Sequence, residues 1–487
     1  MKINDQNTQT SSIQKIDTLN APVISENDIL KFFNLERNSI KNFTITHKSD
    51  GLYICITLNV KPHQCPVCGQ MSKKIKDYHE KKIVHSVLTS KNCYIIYRAR
   101  RYQCPHCHKI FYEHNPFTFG SSRISVATVY NILQDLKAPN ETFVSVALRH
   151  NVSPTTAVNI FDQHVHMSRR PLPSCIALDE VFAFKSHNSQ YVCILVDYLD
   201  KKIIDALPSR HKDTLMNYFM LIPLEEREKV KFCSFDMWES YKIVASHVFP
   251  NVRCAVDHFH VIQDLNRRVD SVRLSVQKKY QETVNKLNHK KKSQNGQLSI
   301  EDQLALEEAS RHYYVFKKFN WLLFSSNNKI LDDNMEKRFN NRLGGYYNYS
   351  DLYDYMIHSS RDLETACDLQ YEVKRFYEHC NEKTAKKKIE ELIVDFRSCS
   401  IDNVSQFANV LTKWKREIIN SFIIVDSKKG RKMNTAIVEN RNKSIKLIKH
   451  ASNGYLNWER FRNRILFSLN SDSTFYMTSI KKEKKQQ

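Results

Sequence analysis

The chain is expected to fold as a multidomain α/β protein, on three observations. Between residues 174 and 257, short apolar runs of strand length alternate with stretches of helical period. From 262 to about 420 the apolar residues recur at helical spacing. Ahead of both, Cys65-Pro-Val-Cys68 and Cys104-Pro-His-Cys107 bracket a strand-rich stretch, the pattern of a small domain stapled by a metal. A chain of 487 residues exceeds one ordinary domain, so about two to four units are expected.

Charge narrows the partner. Lys plus Arg number 74 and Asp plus Glu 52, a net +22 spread along the whole chain. Such an excess favours a polyanion, above all nucleic acid. It could also serve solubility or attraction to anionic lipid, but no basic amphipathic helix or lipidation motif supports the lipid reading. No run of eighteen apolar residues exists and the N-terminus is polar, so a cytoplasmic, nucleoid-associated protein without a membrane partner is expected. Of 13 cysteines, nine are scattered singly and read as small core residues of a reducing compartment.

Taken in order, residues 1–22 are rich in Asn, Gln, Ser and Thr and are expected to be disordered. A short helix at 28–35 precedes strands at 41–47 and 52–60. Each Cys-x-x-Cys then puts two thiolates on one tight turn, rigidified by Pro66 or Pro105, with Gly69 letting the backbone curl away. Together Cys65, Cys68, Cys104 and Cys107 would hold one structural Zn²⁺ across a long hairpin, a zinc ribbon. Four thiolates leave no open position, so this metal is a staple and not a catalyst. Next, 143–161 has helix-turn-helix form. Val146, Ala147 and Leu148 are expected to pack the first helix, Asn151 to make the turn, and Ser153 with Pro154 to start the second. Thr155, Thr156 and Asn159 would face a major groove, with Arg149 and His150 near the DNA backbone.

Strands are expected at 174–184, 191–199, 202–208, 230–236 and 252–257, with helices near 213–222 and 239–248. This order matches a ribonuclease H-like core, a mixed sheet flanked by helices. There a carboxylate on the first strand, Asp179, lies beside one ending the fourth, Asp236. A third acid would come from a helix packed across the sheet. On a helix at 434–450, Val438, Arg441, Ile445 and Ile448 form one stripe, and Glu439, Asn442 and Lys446 an adjoining face. Gathered acids repel by roughly 4 kcal/mol at about 4 Å and an effective dielectric of 20. Bound Mg²⁺ or Mn²⁺ would reverse that cost and supply a phosphoryl-transfer site. Taken singly, each acid could be a turn former or a solvated helix residue.

The residues also carry a family resemblance. The double Cys-Pro-x-Cys ribbon, Ile176-Ala-Leu-Asp-Glu180, Ser234-Phe-Asp-Met-Trp-Glu-Ser-Tyr241, Ala255-Val-Asp-His-Phe-His-Val261 and Val438-Glu-Asn-Arg-Asn-Lys-Ser-Ile-Lys446 before Asn463-Arg-Ile465 resemble the DDE transposases of bacterial insertion sequences, nearest the ISL-three family. The resemblance runs in order over about residues 40–470. It implies that Asp179, Asp236 and Glu439 bind two catalytic Mg²⁺ (or Mn²⁺) ions. It also implies that the helical stretch is an all-α insertion between the second and third acids. Asp257, His258 and His260 would then be second-shell or DNA-positioning groups, while Asn442, Lys443 and Lys446 would contact DNA.

The organisation expected is a tail (1–22), a zinc-ribbon domain (23–117), a helix-turn-helix domain (118–170), the first part of the core (171–262), the insertion (263–430), the final helical part of the core (431–475) and a basic tail (476–487). The function implied is a transposase binding double-stranded DNA, as terminal inverted repeats and target DNA, cutting and joining strands, and acting as a homodimer in the DNA complex. The competing reading is a catalytically silent DNA-binding regulator derived from such an enzyme, which would not need the three acids.

Overall fold

The computed structural model describes residues 35–86, 92–187, 189–325, 328–432 and 436–477, with Asn27, Leu30, Lys31 and Phe33. The expected tail 1–22, most of the helix at 28–35 and nearly all of the basic tail lie outside these residues. The chain forms two compact units, one of residues 1–167 with 471–487 and the other of Ser168–Asn470.

In the first unit, strands β1 (Ile40–Lys48), β2 (Gly51–Leu58), β5 (Ile75–Val84) and β6 (Cys93–Gln103) form a sheet ordered β1-β2-β6-β5, with β7 (Ile110–Tyr112) on β6. The two-residue strands β3 (His63–Gln64) and β4 (Met71–Ser72) pair separately. Gly51 is required at the β1–β2 turn, because a Cβ there would lie 2.3 Å from the Asn92 carbonyl oxygen. Leu52, Ile54, Ile56, Ile83, Ile95 and Tyr97 pack under Phe117. Arg100 and Glu113 are buried as a pair at 3.1 Å, with Tyr97 donating to the carboxylate at 2.7 Å. The pairing offsets much of the desolvation cost that an isolated buried charge would carry, although Arg100 Nε has no hydrogen-bond partner.

Three helices follow, Val126–Asp135, Phe143–Arg149 and Pro154–His164, each capped by a side-chain oxygen from Ser125, Thr142 or Ser153. Asn151 takes φ 53° between the last two, as expected of the turn residue. Val146 and Ala147 are buried, but Leu148 is 77% exposed, against expectation. The buried stripe runs through Val146, Ala147 and His150, and the 100° step per residue carries Leu148 past its edge. The segment 471–477 returns to this unit. Lys137 donates to the carbonyls of Ser471 and Ser473, and Tyr476 exchanges bonds with His164.

The second unit is built on β8 (Cys175–Phe182), β9 (Tyr191–Asp197), β10 (Ile203–Leu207), β11 (Phe232–Phe235) and β12 (Arg253–Val256), ordered β10-β9-β8-β11-β12. The first two pairings are antiparallel and the last two parallel, so the sheet is mixed. Helices Lys212–Met220 and Glu239–Val248 lie between strands where their periodicity was expected. The long helix His258–Ser293 opens a helical stretch that closes with Phe407–Asn420. One apolar core runs from the sheet into these helices, for instance Leu195, Phe235, Val244, Leu265, Phe376 and Leu411. The stretch is not all-α as expected. Strands β13 (Arg338–Asn340) and β14 (Gly345–Tyr347) form a hairpin within it, turning at Gly344 with φ 70°. Three-residue strands are too short for an alternating pattern to register in sequence.

A second hairpin, β15 (Ile424–Asp426) with β16 (Arg431–Lys432), leads to the helix Ala436–Ala451, which packs against β8. Its residues Val438, Ile445 and Ile448 are almost wholly buried, worth about 1.5–3 kcal/mol apiece. Arg441, expected on the same stripe, is half-buried and donates to the carbonyls of Lys201 and Leu469. No helix among the described residues is long and apolar enough to cross a membrane.

Candidate functional site

Residue by residue, the parallel register of β8 and β11 pairs Cys233 with Ile176 and Ser234 with Ala177. Two steps on, the same register sets Asp236 beside Asp179. Asp179 is buried, 8% exposed, and Asp236 half-buried. Asp179 Oδ1 accepts from the backbone N–H of Glu180 at 2.7 Å, and Asp236 Oδ1 from that of Trp238 at 3.1 Å. Burial, joined by the Asp236 charge, pushes the Asp179 carboxyl up to about 7. Burial likewise pushes Asp236 up to about 6, against the opposing pull of Arg210. Two carboxyls so raised are ionised at a cost near neutral pH, and a bound cation would lower that cost.

Asn442, on the helix Ala436–Ala451, reaches into this pair. Its Nδ2 donates to Asp179 Oδ2 at 2.8 Å and to the Glu180 carbonyl at 3.3 Å. Its Oδ1 is buried without a hydrogen-bond partner. Asn442 was expected to touch DNA, and in the fold its amide is instead committed to a carboxylate. Glu439, in the first turn of that helix, is half-buried and three residues before Asn442. The helix therefore turns both toward one side. The oxygens of Glu439, Asp179 and Asp236 do not converge as tightly as the four cysteine thiols described below.

Three neighbours of the pair went unnoticed as site residues in the sequence. Glu180 bonds Arg210, accepts from Tyr241 at 3.2 Å, and has its own proton affinity raised by burial and by Asp236. The Arg210 guanidinium lies over the rings of Trp238 at 4.2 Å and Tyr191 at 4.3 Å. Glu180 could have been suspected from its place beside Asp179. Arg210 follows β10 in a loop and carried no periodic signal.

Asp257 follows β12, and its N–H donates to the Phe235 carbonyl at 3.1 Å. Its side chain caps the helix His258–Ser293 by accepting from Phe259 N, and His258 Nδ1 lies 3.1 Å from it. His260 is half-buried on the first turn. Lys443 and Lys446 are exposed.

The helix pair of the first unit presents Thr155 and Asn159 to solvent, with Thr156 half-buried and its hydroxyl on Ser153 at 2.8 Å. Arg149 is paired with Asp135 and Glu141, both at 2.6 Å. His150, expected near DNA, is 5% exposed. Its ring nitrogens lie 2.6 Å from Ser86 Oγ and 2.9 Å from Asp135 Oδ2. In this fold it ties the helix pair to the end of β5.

The four cysteines do converge. Their sulfurs lie within 4.8 Å of one another, with Cys65 and Cys107 at 3.5 Å and Cys68 and Cys104 at 3.5 Å. Tetrahedral thiolates at about 2.3 Å from Zn²⁺ would be spaced about this far apart, so the donor set fits. The two knuckles share a backbone. Gly69 N donates to Cys65 O and His108 N to Cys104 O, with Gly69 at φ 74° and His108 at φ 59°. Backbone N–H groups aimed at sulfur, led by that of Cys68, bring the Cys65 thiol down to about 6.

Residues 176–465 match the profile of the DDE transposases of ISL3 type, whose description reads "Transposase". That span is more than half of the chain. The chain belongs to the ISL3 transposase family. Residues 61–107 match a second profile, the zinc-finger of transposase IS204/IS1001/IS1096/IS1165. Among curated relatives, the transposase for insertion sequence element IS1001 of Bordetella parapertussis is 23% identical over 287 residues, covering 59% of this chain. The match spans 58% of that relative's length. The family region contains Asp179, Asp236, Glu439 and Asn442, and the zinc-finger region ends on Cys107.

Proposed function

We propose that the chain is the transposase of an insertion sequence, binding the terminal inverted repeats and catalysing metal-dependent strand cleavage and strand transfer. The observation that carries this is the pair of Asp179, buried within β8, and Asp236, half-buried just past the end of the parallel neighbour β11, inside the span shared with the family. The strand order supports reading the second unit as a ribonuclease H-like core interrupted by the helical stretch 263–430. Asp179, Asp236 and Glu439 are the proposed ligands of two Mg²⁺ or Mn²⁺ ions. Such ions, when bound, make a hydroxyl nucleophilic and stabilise the leaving oxygen of an in-line displacement.

The chain's own part is positioning. Asn442 fixes the rotamer of Asp179, Trp238 N–H that of Asp236, and Arg210 keeps Glu180 paired and turned to its own partner. Glu439 rides on the helix that Val438, Ile445 and Ile448 anchor, on the side that Asn442 presents to Asp179, and is the proposed third carboxylate. Lys443 and Lys446, exposed on it, suit phosphates. In the first unit, Thr155, Thr156 and Asn159 of the helix pair are the proposed base-reading residues. A zinc ribbon would hold that unit together. Two element ends must be joined, which makes a homodimer the working assembly.

The test is incubation of the chain with Mg²⁺ and DNA carrying terminal inverted repeats. Strand transfer is expected, and Asp179→Ala should remove it while leaving repeat binding intact. Binding without any cutting by the unaltered chain would favour a silent regulator, and cutting without joining a plain nuclease.

A further inference from the structure

Along β5 the first unit carries a groove of about 820 Å³ that none of the roles above uses. Strand β5 is the edge of its sheet, and its odd-numbered residues face inward. Ile83 on that face is fully buried, but Lys81 and His79 run out past the edge of the core. The chain after β7 comes back along them as a second wall. Val84 N donates to Arg123 O at 2.8 Å, and Val84 bridges to Ile124. Tyr112 stands between the walls, with Lys81 Nζ 4.8 Å over its ring and the His79 ring 6.0 Å away, edge-on. His114 and Arg123 are exposed along the returning wall, with the hydroxyls of Ser121 and Ser122 between them.

Charge in this groove is one-sided. Among the described residues, Lys81, His114 and Arg123 have no carboxylate partner. The acids nearby are spent or turned away. Glu113 has both oxygens engaged by Arg100 and Tyr97, and Asp77 binds Arg101 while lying 3.7 Å from His79. Glu80 also lines the groove, but the two-residue alternation sets its side chain on the other face of the strand from Lys81, and Lys82 beside it lines the groove too. Clustered cations in a concavity repel one another, and a chain of phosphates relieves that repulsion. Of the described lining residues with a base-reading geometry, Asn115 has its amide committed to Thr118 Oγ1 and the Phe117 N–H, which leaves Arg123, whose guanidinium fork suits a phosphate as well as a base edge.

We propose that this groove grips the phosphodiester backbone of duplex DNA without reading its sequence, Lys81, His114 and Arg123 being the phosphate contacts and Tyr112 the ring that orients Lys81. The choice of DNA as the polyanion rests on the transposase reading. The groove would therefore add affinity to the sequence selection made by the helix pair of the same unit.

The experiment measures binding of the full-length, zinc-loaded chain to duplexes with and without the inverted repeat, across a salt series. The Lys81→Glu/Arg123→Glu variant should bind both duplexes about 100-fold more weakly, and its slope of log affinity against log salt should fall by about 2. Lys81→Gln/Arg123→Gln should weaken both by about tenfold, and it decides the matter if the charge reversal costs the chain its zinc. The preference for the repeat over unrelated duplex should stay unchanged in both variants. If the unaltered chain binds DNA and the glutamine variant matches it in affinity and slope, the groove proposal falls and the transposase reading stands. If the unaltered chain has no affinity for DNA but binds vesicles of anionic phospholipid, both fall.

Discussion

Replacing Asp179 by Asn should make the protein more stable at neutral pH in the presence of a chelator, although it removes a central residue of the proposed site. The carboxyl is buried and its affinity for a proton is raised from 3.8 to about 7. A carboxyl with a raised folded-state value binds its proton more tightly in the fold than in the unfolded chain. Its cost is therefore absent below pH 4, grows as pH rises from about 4 to about 7, and is constant above. Three units correspond to at most about 4 kcal/mol. Asparagine has no charge to desolvate, so the gain at pH 8 approaches that figure, less the price of rearranging hydrogen bonds. Asn442 Nδ2 now donates to Asp179, and an amide there would set two donors face to face. Rotation of the Asn442 amide brings its unpartnered Oδ1 to the new NH₂ group but gives up the Nδ2 bond to the Glu180 carbonyl, together about 1–2 kcal/mol. A net gain of about 2–3 kcal/mol at pH 8 and near zero at pH 4 is expected.

Urea unfolding followed by tryptophan fluorescence measures this directly, because Trp238, Trp321, Trp414 and Trp458 all lie in the second unit. The unaltered chain should lose stability in that unit between pH 4 and pH 7, and Asp179→Asn should flatten the curve. Added Mn²⁺ should then stabilise the unaltered chain at pH 8 and leave the variant where it was, since stabilisation follows occupancy. A variant less stable than the unaltered chain at pH 8 would refute the account, and so would a pH profile that the substitution leaves unchanged.

Other substitutions test other parts of the argument. Asn442→Ala frees the Asp179 rotamer and should weaken divalent-ion binding about 10- to 100-fold, as loss of an outer-sphere partner does, measured by titration calorimetry. Ile445→Ala removes a fully buried side chain from under the helix that carries Glu439 and should cost about 2–5 kcal/mol in urea unfolding. Chelation of zinc, or Cys65→Ser, should raise hydrogen exchange across β5 and β6 while tryptophan fluorescence of the second unit stays unchanged. Arg210→Gln leaves Glu180 and Asp236 without their nearest cation, so the pH at which divalent ions begin to bind should move upward.

The features most legible in the sequence were those with a strong period or a short motif. All five core strands and the two expected helices fall within about two residues of their expected bounds, because buried strands read as unbroken apolar runs, while the four-residue helix Leu224–Arg227 was too short to register. The cysteine knuckles were legible because thiolate spacing is a local matter. Leu148 misled because three adjacent apolar residues cannot all share one helical face. His150 misled because a histidine beside an arginine looks basic in sequence, while its burial depends on Ser86 and Asp135, which are distant in the chain. The partners of Glu180 were hidden for the same reason. Arg210 and Tyr241 reach it from two other elements, and no local pattern links them.

Asn442 shows why the site resists reading from sequence and how it could be regulated by folding order. It meets Asp179 across 263 residues, the whole helical stretch lying between them. Asp179 and Asp236 are brought together by neighbouring strands, whereas the helix bearing Asn442 and Glu439 docks only when Val438, Ile445 and Ile448 find the sheet. Closing so long a loop is entropically costly, though the cost grows only slowly with length, so the docked helix must be held by packing. The proposed site would then be complete only after a contact across 263 residues forms, and any weakening of that apolar stripe should lower divalent-ion binding before it disturbs the sheet.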